Sequence, residues 1–273
     1  MRTLLLSLAA AAALAHSASA AAAGHPAILA ALNAERAANG IPAHVRENPA
    51  WSARCAEHVA YMAATGRFSH SENPTSPEYA ASGSWAGEHS VLAEGASWHD
   101  GDPFASSPIH LIQLMSPELR QVGIDDDASG YLCMTTWPGY DASGWNKATV
   151  YSDPGDGAVG VPYAETANEL RFVPGDFVGL PRGTTTGFNI MVFAEGTADP
   201  WHLHIVSATL TGPDGPVVVR TVDRTTPTVG PYLPPGSGFV IPVAPLRPDT
   251  TYRALVRFAG GLRHSWQFTT AEA

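Results

Sequence analysis

The spacing of apolar residues changes character near Asp141, and this change divides the chain into two architectures. Before it, apolar side chains recur at helical intervals. Pro26 opens a segment with Ile28, Leu29 and Leu32, which Gly40 stops. Asn48-Pro49 supplies an N-cap followed by proline at the first helical position. The helix it starts places Trp51, Cys55, Val59 and Met62 on one face and closes at Gly66. Residues 71–106 are rich in Ser, Gly, Pro and acids and predict a long loop with a short helix around Pro77 to Ala81. Ser107-Pro108 starts another helix, carrying Ile109, Ile112, Leu114 and Met115. Residues 121–124 and 130–136 predict strands, so the first half is helices around a small sheet.

From Val150 onward helix signals vanish and short apolar runs alternate with Pro/Gly turns. The runs cover residues 187–193, 203–206, 216–219, 238–243, 251–256 and 265–270. That rhythm predicts a β-sandwich of roughly seven strands in ~100 residues, present as one copy. A chain of 273 residues holds two such modest domains. With 45% hydrophobic and 15% charged residues, a packed core is expected rather than disorder.

The ends and the charges narrow the setting. Arg2, the apolar run Leu4 to Leu14 and the small-x-small Ala18-Ser19-Ala20 predict a secretory leader over residues 1–23. No later stretch is apolar enough to anchor the chain in a bilayer, so export and release are expected. The formal net charge is −10, and no basic stripe is visible along the sequence. Nucleic acid and anionic membrane surfaces are therefore poor partner candidates. Cys55 and Cys133 either form a disulfide, as an oxidising compartment permits, or act as two small buried hydrophobes.

Three short phrases carry the candidate chemistry: Phe68-Ser69-His70, Ala86-Gly87-Glu88 and Ser107-Pro108-Ile109-His110. Two imidazoles and a carboxylate beside turn-forming residues can hold a divalent metal such as zinc, move a proton or bind a polar ligand. For metal binding, affinity is expected to fall as pH drops through the imidazole range, roughly 6.5. The sequence has neither a Gly-x-Ser-x-Gly elbow nor a His-Glu-x-x-His helix.

The phrases Leu32-Asn33-Ala34-Glu35-Arg36, Ala53-Arg54-Cys55-Ala56-Glu57-His58-Val59-Ala60-Tyr61-Met62-Ala63, Phe68-Ser69-His70, Gly87-Glu88, Ser107-Pro108-Ile109-His110 and Val122-Gly123 occur in that order. Together they resemble the CAP superfamily (cysteine-rich secretory proteins, antigen 5 and pathogenesis-related 1 proteins, the SCP domain), in its bacterial form. The resemblance implies an α-β-α sandwich, an α+β fold, and a cavity tetrad of two histidines and two acids. His70, Glu88 and His110 match three positions of that tetrad. Glu94, which precedes Trp98, and Asp100, which follows it, are the alternatives for the fourth. The chain departs from the family pattern at His89, Leu111 and Gln113, where the family carries Asn, Arg and Asn. His89 and His99 are further imidazoles in reach of the same phrases.

In the second half, residues 153–162, 245–252 and 266–270 resemble bacterial immunoglobulin-like modules attached to exported proteins. The expected organisation is a leader at 1–23, a CAP domain at 24–140, a linker at 141–152 and an immunoglobulin-like sandwich at 153–273. The implied function is extracellular: a His/Glu cleft that binds a small ligand, a lipid included, or a divalent metal, on a protein that engages an extracellular protein or cell-wall component. The alternative is a metal-assisted hydrolase of peptide, ester or cell-wall substrates using the same cleft.

Other residues have plainer readings. His58 is expected to be a hydrogen-bonded packing residue, and Asp125-Asp126-Asp127 a solvated turn lacking the later ligands of a calcium loop. His202 and His204 share a face and are expected to be exposed beside Trp201. Trp137, Tyr140 and Trp145 are expected to pack at the domain junction, and Tyr252 and Trp266 in the sandwich core.

Overall fold

The computed structural model describes residues 25–98, 100–126, 129–141, 143, 148–166, 178–197 and 199–273. The expected leader 1–23, His99, Asp127 and Trp145 lie outside the described residues.

The first half contains α1 (His25–Ala38), α2 (Pro49–Thr65), α3 (Ala81–Glu88) and α4 (Pro108–Met115). Its strands are β1 (Arg46–Glu47), β2 (Ser90–Glu94), β3 (Gln121–Asp126) and β4 (Tyr131–Thr135), in the sheet order β1-β3-β4-β2. The α2 termini follow the expected chemistry. The Asn48 side chain accepts from the Ala50 and Trp51 N–H groups, and Gly66 takes a left-handed φ of 61°. Val122-Gly123 is explained by contact: a Cβ on Gly123 would lie 2.5 Å from the Trp51 carbonyl carbon, so only glycine lets β3 approach α2 so closely.

Successive side chains of β2 and β4 go to opposite faces. Val91, Ala93, Leu132 and Met134 pack with Ile28 and Leu32 of α1 and Ile109 and Ile112 of α4. Leu92, Tyr131 and Cys133 pack with Cys55, Val59 and Met62 of α2 and Ala86 of α3. The result is the α-β-α sandwich. Cys55 and Cys133 are bonded, joining α2 to β4 across 78 residues of sequence. Closing a loop of that length stabilises the fold by about 4 kcal/mol in the chain-entropy picture.

One helix is displaced from its expected place. Residues around Pro77 form turns, and α3 runs over Ala81–Glu88 instead. The segment Ala-Ser-Gly-Ser-Trp-Ala-Gly-Glu has poor helix propensity. It is helical because Gly83 and Gly87 let it lie directly against α2, where a Cβ would meet Glu72 Oε1 at 2.6 Å and the His58 ring at 2.4 Å.

The second half holds nine strands among the described residues, more than the seven expected: β5 (Thr149–Asp153), β6 (Ala158–Val161), β7 (Ile190–Glu195), β8 (Ile205–Gly212), β9 (Gly215–Val217), β10 (Val219–Asp223), β11 (Ser237–Pro242), β12 (Thr251–Phe258) and β13 (Arg263–Thr270). They form a four-stranded sheet, β10-β11-β7-β5, and a five-stranded sheet, β6-β13-β12-β8-β9. Tyr252 and Trp266 lie in the core between them, as expected.

The segment expected as a linker, 141–152, is shorter than that, because β5 already pairs with β7 from Thr149. Nor is the sandwich a separate bead. Ile190, Val192 and Ala194 of β7 face the five-stranded sheet. Met191 and Phe193 of β7, with Phe239 and Ile241 of β11, belong to the same apolar core as α1 and α4. The central strands β7 and β11 of the four-stranded sheet are thus buried on both faces, which is why their burial is continuous rather than alternating.

Polar contacts cross the same junction. The Asn39 side chain accepts from the Gly155 N–H at 2.7 Å, and Arg120 pairs with buried Glu195 at 3.5 Å. Gln113 of α4 donates to the Tyr232 carbonyl at 3.2 Å and accepts from Thr136 at 3.1 Å. Gln113, one of the departures from the family phrase, therefore joins the two halves. Tyr140 is packed at the junction against Trp137, with ring centroids 5.7 Å apart.

Candidate functional site

The site is built on a buried histidine. His58 lies on the apolar stripe of α2 and is fully buried. Its Nε2 donates to the Ser69 carbonyl at 2.9 Å, and its Nδ1 shares a proton with Glu72 at 2.9 Å. The other Glu72 oxygen accepts from the Ala80 N–H at 2.9 Å. The Tyr61 hydroxyl accepts from the Asn73 N–H at 2.9 Å. Helix α2 thereby fixes both ends of the loop that carries His70. Sequence reasoning placed His58 as a packing residue, as found, and missed Glu72. An acid within a Ser/Asn/Pro loop looks solvated. The usable signals were His58 at helical spacing from Cys55 and Met62, and the Gly83/Gly87 pair spaced to admit it.

His70 follows that anchored carbonyl. Its Nδ1 donates to the Gly87 carbonyl at 2.8 Å, at the C-terminal end of α3. A neutral imidazole with Nδ1–H committed leaves its Nε2 lone pair as the available acceptor. A Cβ on Gly87 would sit 2.7 Å from the His70 carbonyl oxygen, so this glycine sets the approach of loop to helix. His70 is exposed on its outer side, yet the surrounding protein desolvates the ring and holds its pKa below the ordinary imidazole value, opposed by the Gly87 hydrogen bond and aided by nearby His58.

His110 is in the first turn of α4, half-buried, with its ring centroid 6.0 Å from that of His70 and the planes 30° apart. Phe104 packs on it at 5.6 Å. Desolvation, then the neighbouring His70, pushes its pKa down to about 3. Both imidazoles are therefore neutral at pH 7. Proton competition at this pair is displaced to the acid side of the 6.5 window expected from unperturbed histidine.

The acids expected beside them are Glu88, Glu94 and Asp100. Glu88 ends α3 with its side chain exposed. Glu94 ends β2 opposite Tyr131, and its carboxylate accepts the Tyr131 hydroxyl. Asp100 is exposed. Among the described residues, no three His, Cys, Asp or Glu side chains are grouped to hold a metal ion. His89 caps α3, donating from Nδ1 to the Trp85 carbonyl at 2.7 Å and stacking on the Trp85 ring at 4.7 Å. Arg54 also lies over that ring, at 4.4 Å. The structure thus brings His70 and His110 together and leaves Glu88 and Glu94 outside a three-ligand set.

Residues 29–133 match the model of the cysteine-rich secretory protein family. This region is a CAP domain. No curated protein matches the chain. Among solved structures, the selenomethionine form of PcoC, a copper resistance protein from Escherichia coli, aligns at 20% identity and a TM-score of 0.25, covering 44% of this chain and 94% of that one. At that score the two folds are not established as alike. The β-rich region that follows the CAP domain is described by its own sheets alone.

Two plainer expectations also resolve. His202 and His204 are exposed, but each pairs with its own acid, Asp199 at 2.9 Å and Asp223 at 3.4 Å. Asp126 is not a solvated turn residue: it is buried and accepts from the Ser97 hydroxyl at 2.8 Å and the Trp98 N–H at 3.2 Å. It holds the loop between β2 and α4 that brings Phe104 onto His110. No helix among the described residues is long and apolar enough to cross a membrane.

Proposed function

We propose that the CAP domain is an extracellular binding module whose His70–His110 pair takes an exchangeable divalent cation of the zinc class. The observation that carries this is the pairing itself: two neutral imidazoles with ring centroids 6.0 Å apart, one with its Nδ1–H already committed to a backbone carbonyl. Two rings sharing one tetrahedral zinc have centroids roughly 5–5.5 Å apart, given Zn–N bonds of about 2.0–2.1 Å, so the pair needs only a small closure from its 6.0 Å separation to share an ion. The donor set fits two ligands of such an ion and not a complete protein cage, so water or a bound molecule would supply the rest. That favours exchange and ligand capture over a permanent structural metal. Hydrolysis gains no comparable support, since among the described residues no carboxylate completes a metal-holding group with the two imidazoles.

Export by the leader and an immunoglobulin-like identity for the sandwich belong to the same proposal. They rest on the sequence phrases, and the Cys55–Cys133 disulfide suits an oxidising compartment.

Calorimetric titration of the whole chain with zinc at pH 7.5 tests the site. One zinc per chain is expected, removable by a chelator, with affinity reduced at least tenfold in His70→Ala and in His110→Ala. Equal affinity in both variants, or no binding at millimolar zinc, overturns the proposal.

A further inference from the structure

The outer face of the five-stranded sheet gathers cationic side chains that are scattered in sequence. Along β12 the residues Thr251, Arg253, Leu255 and Arg257 point away from the core, alternating with buried Tyr252, Ala254, Val256 and Phe258. The register sets Arg253 between Thr211 of β8 and Gln267 of β13, Leu255 between Thr209 and Ser265, and Arg257 between Ser207 and Arg263. Three exposed arginines thus share a flat field of hydroxyls and one amide, with no carboxylate in these rows. The linear sequence shows no basic stripe because strand alternation and pairing, not adjacency, assemble this one.

Two further features mark the face as an anion reader. Arg257 and Arg263 are direct cross-strand partners, a like-charge pairing that costs stability unless an anion bridges it. None of the three arginines has an ion pair or side-chain hydrogen bond among the described residues, whereas Arg247 pairs with Asp214 at the β8–β9 turn. Asp156 stands at the sheet edge, where it accepts the Gln267 N–H at 3.0 Å.

We propose that this face docks an acidic polysaccharide, its carboxylates taken by Arg253, Arg257 and Arg263 and its hydroxyls by the intervening Thr, Ser and Gln side chains. Guanidinium forks match carboxylates bidentately. Arg253 and Arg257 are four residues apart on one strand, about 13 Å, a spacing for sparse charges along a chain. Double-stranded DNA, with one charge per about 1.7 Å, needs a denser run of cations than three arginines supply. The rows carry no aromatic ring on which single-stranded bases could stack.

The test is binding of the whole chain to immobilised polyuronate at low and physiological salt, with dextran, duplex DNA and anionic phospholipid vesicles as comparison arms. Expected are salt-sensitive retention on polyuronate alone, a loss of at least tenfold in Arg257→Ser/Arg263→Ser, and a smaller loss in Arg253→Ser. Arg67→Ser removes one positive charge from the CAP domain and should leave binding intact. Because all four positions are exposed, unchanged thermal midpoints will separate lost binding from lost fold. No retention on polyuronate, equal retention by the double variant, equal loss in Arg67→Ser, or preference for DNA or vesicles overturns the proposal.

Discussion

The two sheets of the C-terminal region share a core but differ in what they do with their second faces. In β7 and β11 every residue is buried, because one face meets the five-stranded sheet and the other meets α1 and α4 of the CAP domain. In β12 and β13 burial alternates, and the outward residues are Arg, Thr, Ser and Gln. The four-stranded sheet is therefore a structural partition shared by both halves, while the five-stranded sheet presents a surface. The CAP domain has a similar division. Its α1/α4 side is committed to the junction, and the His70 side, held by α2 and α3, carries the proposed cation site.

The largest expected effect breaks the shared partition. Phe193 points from β7 into the CAP-side core and is 1% exposed. Phe193→Ala should cost about 3–5 kcal/mol. If the partition is shared, disulfide-intact unfolding will lose CAP and sandwich signals together, measured by near-ultraviolet dichroism and zinc affinity. Loss of the sandwich signal alone would separate the halves.

A smaller effect probes the charges at the junction. Glu118 is 2% exposed and Glu195 is fully buried, with Arg120 the cation that acts on both. Burial pushes each carboxyl up to about 7, opposed by Arg120, and Asp141 adds to the rise at Glu118. Arg36, Tyr140 and Tyr151 border the same group. A carboxyl with a raised folded pKa binds more protons folded than unfolded, so its stabilising contribution is present at low pH and lost as pH rises through about 7. His110 acts in the opposite sense, since its lowered pKa costs stability as pH falls below the ordinary imidazole value. Between pH 6.5 and 8 the junction acids act in the same sense as Glu35, raised by burial to about 8, and Asp153 and Glu165, raised by burial to about 7. The thermal midpoint should fall over that range, and less steeply in Glu118→Gln. Identical slopes would remove Glu118 from the account.

Much of this architecture was legible in the sequence. Helix α2 could be read from Asn48-Pro49 and Gly66, and the sandwich from its run-and-turn rhythm, because those signals are local. Three features were not. Helix α3 is weakened by two glycines and two serines in eight residues and exists by contact with α2. Glu72 is buried by a partner fourteen positions away in the chain. The continuous apolar runs of β7 and β11 were read as strands, but their meaning, burial on both faces, depends on the CAP domain lying against them. At the site, His70 and His110 were found by phrase. Glu88 was found in the same way, and Glu94 as one of two alternatives for the fourth acid; Glu88 ends α3 and Glu94 ends β2 opposite Tyr131.

Differential scanning calorimetry of the disulfide-intact chain tests the shared core most directly. The account predicts one transition whose calorimetric and van't Hoff enthalpies agree. Two resolved transitions, one matching a separately expressed 24–140 fragment, would contradict it.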